Sequence, residues 1–140
     1  MAFVMEFVAH PQDIPLQIKE VDDRALPETS IKREGFGGIS IETSRSYKIG
    51  QYVEVKLSEI DPNFCVTGRI VLCDDIQDQY KISIEFPKNE DCYCVRMIEQ
   101  LSQIEHYRRQ AKNQGRRLNY NEAADEWIKQ FAASFPAFSL

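Results

Sequence analysis

The chain has 140 residues, 43% hydrophobic and 28% charged, which suits one soluble domain with a buried core and excludes fibrous and low-complexity classes. The net charge of −5 is uneven: residues 1–88 hold 10 Lys+Arg against 15 Asp+Glu and residues 89–140 hold 7 of each, so the first part should repel a polyanion and no nucleic-acid partner is expected. No stretch approaches the ~18–20 apolar residues of a bilayer span, and Met1-Ala2-Phe3-Val4-Met5-Glu6 lacks the basic start of a secretory signal, so a cytoplasmic protein without membrane insertion is expected.

From Ile14 to Phe86 the apolar residues recur with period two: Ile14, Leu16, Ile18; Ile39, Ile41; Val53, Val55, Leu57; Val66, Ile70, Leu72; Tyr80, Ile82, Ile84, Phe86. This spacing predicts short strands with one buried face. Gly37-Gly38, Ile49-Gly50-Gln51, Asp61-Pro62-Asn63 and Asp74-Asp75 with Asp78 read as turns between them. Gly68, inside a strand run, predicts a bulge or a corner. Five or six strands at this spacing predict a small antiparallel barrel over residues 1–88. Residues 20–34 are polar and irregular and are left unassigned between loop and strand.

After Pro87 the period lengthens. Val95, Ile98, Leu101, Ile104, Tyr107 and Ala111 recur every three or four residues and predict an amphipathic helix, with Asn89 as N-cap and Glu90 and Asp91 in its first turn. Gly115 terminates it. Asn119 with Glu122 resembles a capping box for a second helix, whose apolar face is Ala124, Trp127, Ile128, Phe131 and Phe135, ended by Pro136. A helical extension over residues 89–140, on or beside the barrel, is the expected organisation. Trp127, Phe131, Phe135 and Phe138 either cover the barrel and the neighbouring helix or form an interface. A first helix of this length also leaves self-association through the C-terminal helices open, with Leu101 and Ile104 as the positions to test.

Nothing in the chain suggests catalysis. His10 and His106 are the two histidines, and neither has a catalytic context. Cys65, Cys73, Cys92 and Cys94 lack the C-x2-C spacing that aims two thiolates at one ion, so they read as packing or surface thiols. Asp74, Asp75 and Asp78 lack the glycine and glutamate of a calcium loop. No metal and no cofactor are expected.

The runs Gly37-Gly38-Ile39-Ser40-Ile41-Glu42, Ile49-Gly50-Gln51-Tyr52-Val53-Glu54-Val55, Val66-Thr67-Gly68-Arg69-Ile70-Val71 and Tyr80-Lys81-Ile82-Ser83-Ile84-Glu85-Phe86, in this order, resemble a PilZ domain. The lead-in Phe7–Pro15 and the tail around Arg96–Gln100 and Ile104–Arg108 resemble single-domain bacterial PilZ proteins. The resemblance implies a six-stranded antiparallel β-barrel that binds cyclic di-GMP, through R-x-x-x-R before the first strand and D/N-x-S-x-x-G on the next. Here the lead-in segment Ala9-His10-Pro11-Gln12-Asp13 has no arginine. Arg33-Glu34-Gly35-Phe36-Gly37-Gly38 keeps only Gly38 of the second motif. A charge-assisted hydrogen bond contributes roughly 1.5–3 kcal/mol, so losing the arginine clamp should cost orders of magnitude in affinity.

The resemblance therefore implies a non-enzymatic signalling module that contacts bacterial regulatory or motility/secretion proteins as an adaptor. The alternative is a genuine cyclic di-GMP receptor with Lys32, Arg33 and His10 as substitutes. Residues 106–117 hold Arg108, Arg109, Lys112, Arg116 and Arg117 with no acid among them. They read either as a partner surface for an acidic protein or as a solvated helix end complementing its dipole.

Overall fold

The computed structural model describes residues 5–21 and 35–135. Six strands, β1 (Met5–Ala9), β2 (Gln17–Glu20), β3 (Gly35–Thr43), β4 (Tyr52–Leu57), β5 (Asp61–Ile76) and β6 (Gln79–Glu85), form one sheet in the order β1-β3-β6-β5-β4-β2. Two helices follow, α1 (Asn89–Asn113) and α2 (Tyr120–Phe131), then a 3-10 turn over Ala132–Ser134. The molecule is mainly β with a helical tail. Among the described residues no helix is long and apolar enough to cross a membrane.

The sheet is mixed, which corrects the expected all-antiparallel arrangement. β1 runs parallel to β3, Val8 opposite Ile39, while the other pairs are antiparallel. β1 is also a strand that the period-two reading, begun at Ile14, did not assign. Its hydrogen-bonded order is open, with β1 and β2 as the two edges. Residues 10–16 connect these opposite edges. Six flat strands would hold the edges about 24 Å apart at ~4.8 Å per spacing, close to the full reach of seven residues at ~3.3–3.6 Å each. The connection is not extended, however: the Ile14 N–H donates to the Pro11 carbonyl at 3.2 Å, and Ile14 enters the core at 1% exposure. The sheet is therefore curled and not flat, with its two edges nearer than a flat sheet would hold them.

One face of the curled sheet supplies Ile39, Val53, Val55, Leu57, Val66, Ile70, Ile82 and Ile84, and the first half of α1 closes over them with Cys92, Val95 and Ile98. Burying each such aliphatic side chain contributes about 1.5–3 kcal/mol. Gly68 does not mark the bulge of β5. A Cβ there would press on the Ile84 side chain and the Glu85 carbonyl, so glycine permits close packing on β6. The bulge lies between Ile70 and Leu72. The extra residue reverses the side-chain parity, leaving Leu72 at 47% exposure and turning Cys73 inward, against the expectation that Leu72 shares the face of Ile70.

The turns also differ in detail from expectation. Gly37-Gly38 lies inside β3 and Asp74-Asp75 inside β5, while Asp61-Pro62-Asn63 opens β5 just after a turn at residues 58–60. The β5–β6 hairpin turns at Gln77-Asp78, with Gln77 at φ 55. α1 begins after Lys88, not after Asn89, with no side-chain cap. α2 starts as expected: Asn119 and Glu122 form both bonds of the capping box. A second, smaller core joins Ile104 of α1 to Ala123 and Trp127 of α2.

Candidate functional site

The residues of the nucleotide signature do not assemble an anion clamp among the described residues. Lys32 and Arg33 lie outside them. Gly38 sits buried in β3 at φ 151, a backbone conformation that favours glycine, and a Cβ there would collide with the Ile84 carbonyl oxygen. This position is explained by the close approach of β3 to β6. A hollow of about 310 Å³ further along β3 is lined by Ala9, His10, Gln12, Ser40, Ile41, Glu42, Ile76 and Lys81, and not by Gly38. Its one Lys or Arg side chain, Lys81, stands opposite Glu42 across the β3–β6 ladder, which leaves little net attraction for a phosphate.

His10 is 8% exposed and both ring nitrogens are occupied inside the protein. Nδ1 lies 2.7 Å from Glu99 Oε2, and Nε2 lies 2.6 Å from the Ile14 carbonyl. A carbonyl only accepts, so Nε2 carries a proton, and the Nδ1–Oε2 contact holds one more. Burial disfavours the charged ring, but the hydrogen bond and charge of Glu99, the Ile14 carbonyl and Asp13 outweigh it and hold the imidazole above its ordinary value. Glu99 itself is fully buried, and its Oε1 has no hydrogen-bond partner among the described residues. The pair fastens the β1–β2 connection to α1 and leaves His10 no free nitrogen for a ligand.

The cations of residues 106–117 meet acids brought from elsewhere in the fold. Arg108 makes two bonds of 2.9 Å to Glu105. Arg109 reaches Glu105, Glu59 and the Asp13 carbonyl. Arg116 grips both oxygens of Glu126 at 3.0 and 2.6 Å. The Arg108 bond holds the Glu105 carboxyl below the usual carboxylate range against the opposing effect of burial, with Arg109 adding to it. Lys112 and Arg117 are exposed and join no ion pair among the described residues. A run of sequence without acids is therefore largely neutralised in space.

A cleft of about 510 Å³ lies between β1, α1 and the C-terminal segment. Phe7 and Val8 of β1, Tyr107 of α1, and Trp127, Phe131 and Phe135 give it apolar walls, with Gln103, His106, Gln110 and Ser134 as polar members. The rings are set edge to face: Tyr107 to Phe131 at 6.1 Å and Trp127 to Phe135 at 5.8 Å. Gln103 donates to the Ala9 carbonyl at 3.1 Å, and His106 bonds Asp13 at 2.6 Å, so the wall on α1 is tied to β1 and its loop. Of the expected tail aromatics, Trp127 is buried, Phe135 half-buried and Phe131 42% exposed; Phe138 lies outside the described residues. Phe7 and Val8 were missed as site residues because β1 itself was missed. Among the described residues no three His, Cys, Asp or Glu side chains group to hold a metal ion, and Cys65, Cys73, Cys92 and Cys94 form no disulfide. No family model, no curated protein and no solved structure matches this chain.

Proposed function

We propose that this chain is a non-enzymatic PilZ-like signalling module of the bacterial cytoplasm, linked to the cyclic di-GMP pathway. In this reading a barrel over residues 1–88 carries a helical extension over 89–140 and acts as an adaptor. The residue runs that resemble PilZ domains support the barrel, as does the short connection between the two edges of the curled sheet. The observation that carries the adaptor role is the aromatic cleft: Phe131 remains 42% exposed beside buried Trp127, in a wall with two glutamine amides. Such a surface fits an apolar-anchored segment of a regulatory or motility/secretion protein. The receptor alternative is weaker, because the substitute His10 has both ring nitrogens engaged internally.

Trp127 is the sole tryptophan and lines the cleft, so its fluorescence reports occupancy. Titration of cyclic di-GMP, followed by calorimetry and by this fluorescence, is expected to give no saturable signal. Micromolar or tighter binding would replace the adaptor with the receptor. Where deletion of the gene alters a cyclic di-GMP-controlled behaviour, Phe131→Glu is expected not to restore it. Ile49→Glu, at a 68% exposed position outside the cleft, is expected to restore it. Full restoration by Phe131→Glu would remove the cleft as the contact surface.

A further inference from the structure

We propose that the outer face of α1 is a self-association surface on which a second copy of this chain packs antiparallel. α1 has 25 residues and α2 only 12, and α2 covers the C-terminal half of α1 through Ile104 and Tyr107. The N-terminal half of the outer face carries a row of exposed apolar side chains. Tyr93, Met97 and Leu101, each four residues from the next, are 51%, 42% and 38% exposed. Tyr120, 45% exposed, adjoins Leu101 across a shallow hollow and extends the stripe. Single exposed apolar residues are ordinary; a row at helical period is the mark of a covered face.

Charge selects the occupant and its direction. Glu90 and Lys112 are exposed, and neither joins an ion pair with another described residue. They lie eleven residues on either side of Leu101, about 16 Å at ~1.5 Å per residue. A two-fold axis through Leu101 sets each Glu90 against the partner copy's Lys112, twice over. The helix dipoles then oppose as well. A parallel pairing would set Glu90 on Glu90. The stripe is thus complementary to itself in one orientation. Ile104, buried under α2, takes no part, so of the two positions expected to test self-association only Leu101 faces outward.

Sedimentation equilibrium from roughly 1 µM to roughly 1 mM tests this, a range that brackets ordinary homodimer affinities. The wild-type mass is expected to rise from 16.3 kDa towards twice that value. Leu101→Glu and Met97→Lys, both at exposed positions, are expected to stay monomeric with unchanged circular dichroism and melting. Glu90→Lys should weaken the dimer on the order of tenfold, since two exposed ion pairs are lost, and adding Lys112→Glu should restore it. A mass of 16.3 kDa throughout, or a dimer indifferent to both stripe variants, overturns the proposal. A double charge swap that fails to restore pairing overturns the antiparallel arrangement.

Discussion

His10 and Glu99 are 89 residues apart in sequence and 2.7 Å apart in the fold, inside the protein. Removing one member strands the other in a low-dielectric interior. His10→Ala is therefore expected to cost about 3–5 kcal/mol in urea unfolding, far more than an exposed ion pair would. The pH dependence has a definite sign. His10 titrates above its ordinary value of 6.5 in the folded protein, so the pair's stabilisation is complete below that value and is lost as pH rises through the raised one. The charged groups bearing on the ring are Glu99 from α1 and Asp13 from its own loop, the latter also bonded to His106. The wild-type urea midpoint should fall as pH rises above the ordinary histidine value of 6.5, whereas Glu99→Gln should start lower and change less, because it has no carboxylate to favour the imidazolium. Equal slopes for the two proteins would rule out this origin.

The elements that the sequence shows most clearly are those whose chemistry is local. The capping box of α2 is read directly from Asn119 and Glu122 and is present in the structure. Asn119→Ala should accordingly lower stability by about 1 kcal/mol, measured by chemical denaturation. The period-two runs of β4 and β6 likewise give their buried faces correctly. What escapes is set by partners far along the chain. β1 has only five residues, and its strand character comes from lying against β3. The bulge after Ile70 depends on how β5 matches β6, so no residue type announces that Leu72 will face out. In α1 the apolar spacing suggested a face through Leu101, but Glu99 and Ser102 lie at 0% exposure on the sheet side. A glutamate reads as a solvent residue until its histidine, in the β1–β2 connection, is known. The candidate cleft was legible only as a set of tail aromatics, because its other wall is β1.

At the scale of the molecule, two cores of unequal size share α1. The larger lies between the sheet and the first half of the helix, and the smaller joins Ile104 to Ala123 and Trp127. Hydrogen exchange under native conditions should therefore show α2 and residues 104–113 opening at lower free energy than β4, β5 and β6. Equal protection throughout would mean that the helical extension unfolds only with the sheet. The route of the chain between the sheet's two edges bears on the order in which it can be made. β1 is synthesised first, yet β3, its neighbour, pairs in turn with β6 at residues 79–85, and His10 finds Glu99 only when α1 exists. β2 likewise waits for β4. A ribosome thus releases β1 and the connection after it long before their companions, and the sheet is completed on a strand made ahead of every partner it needs.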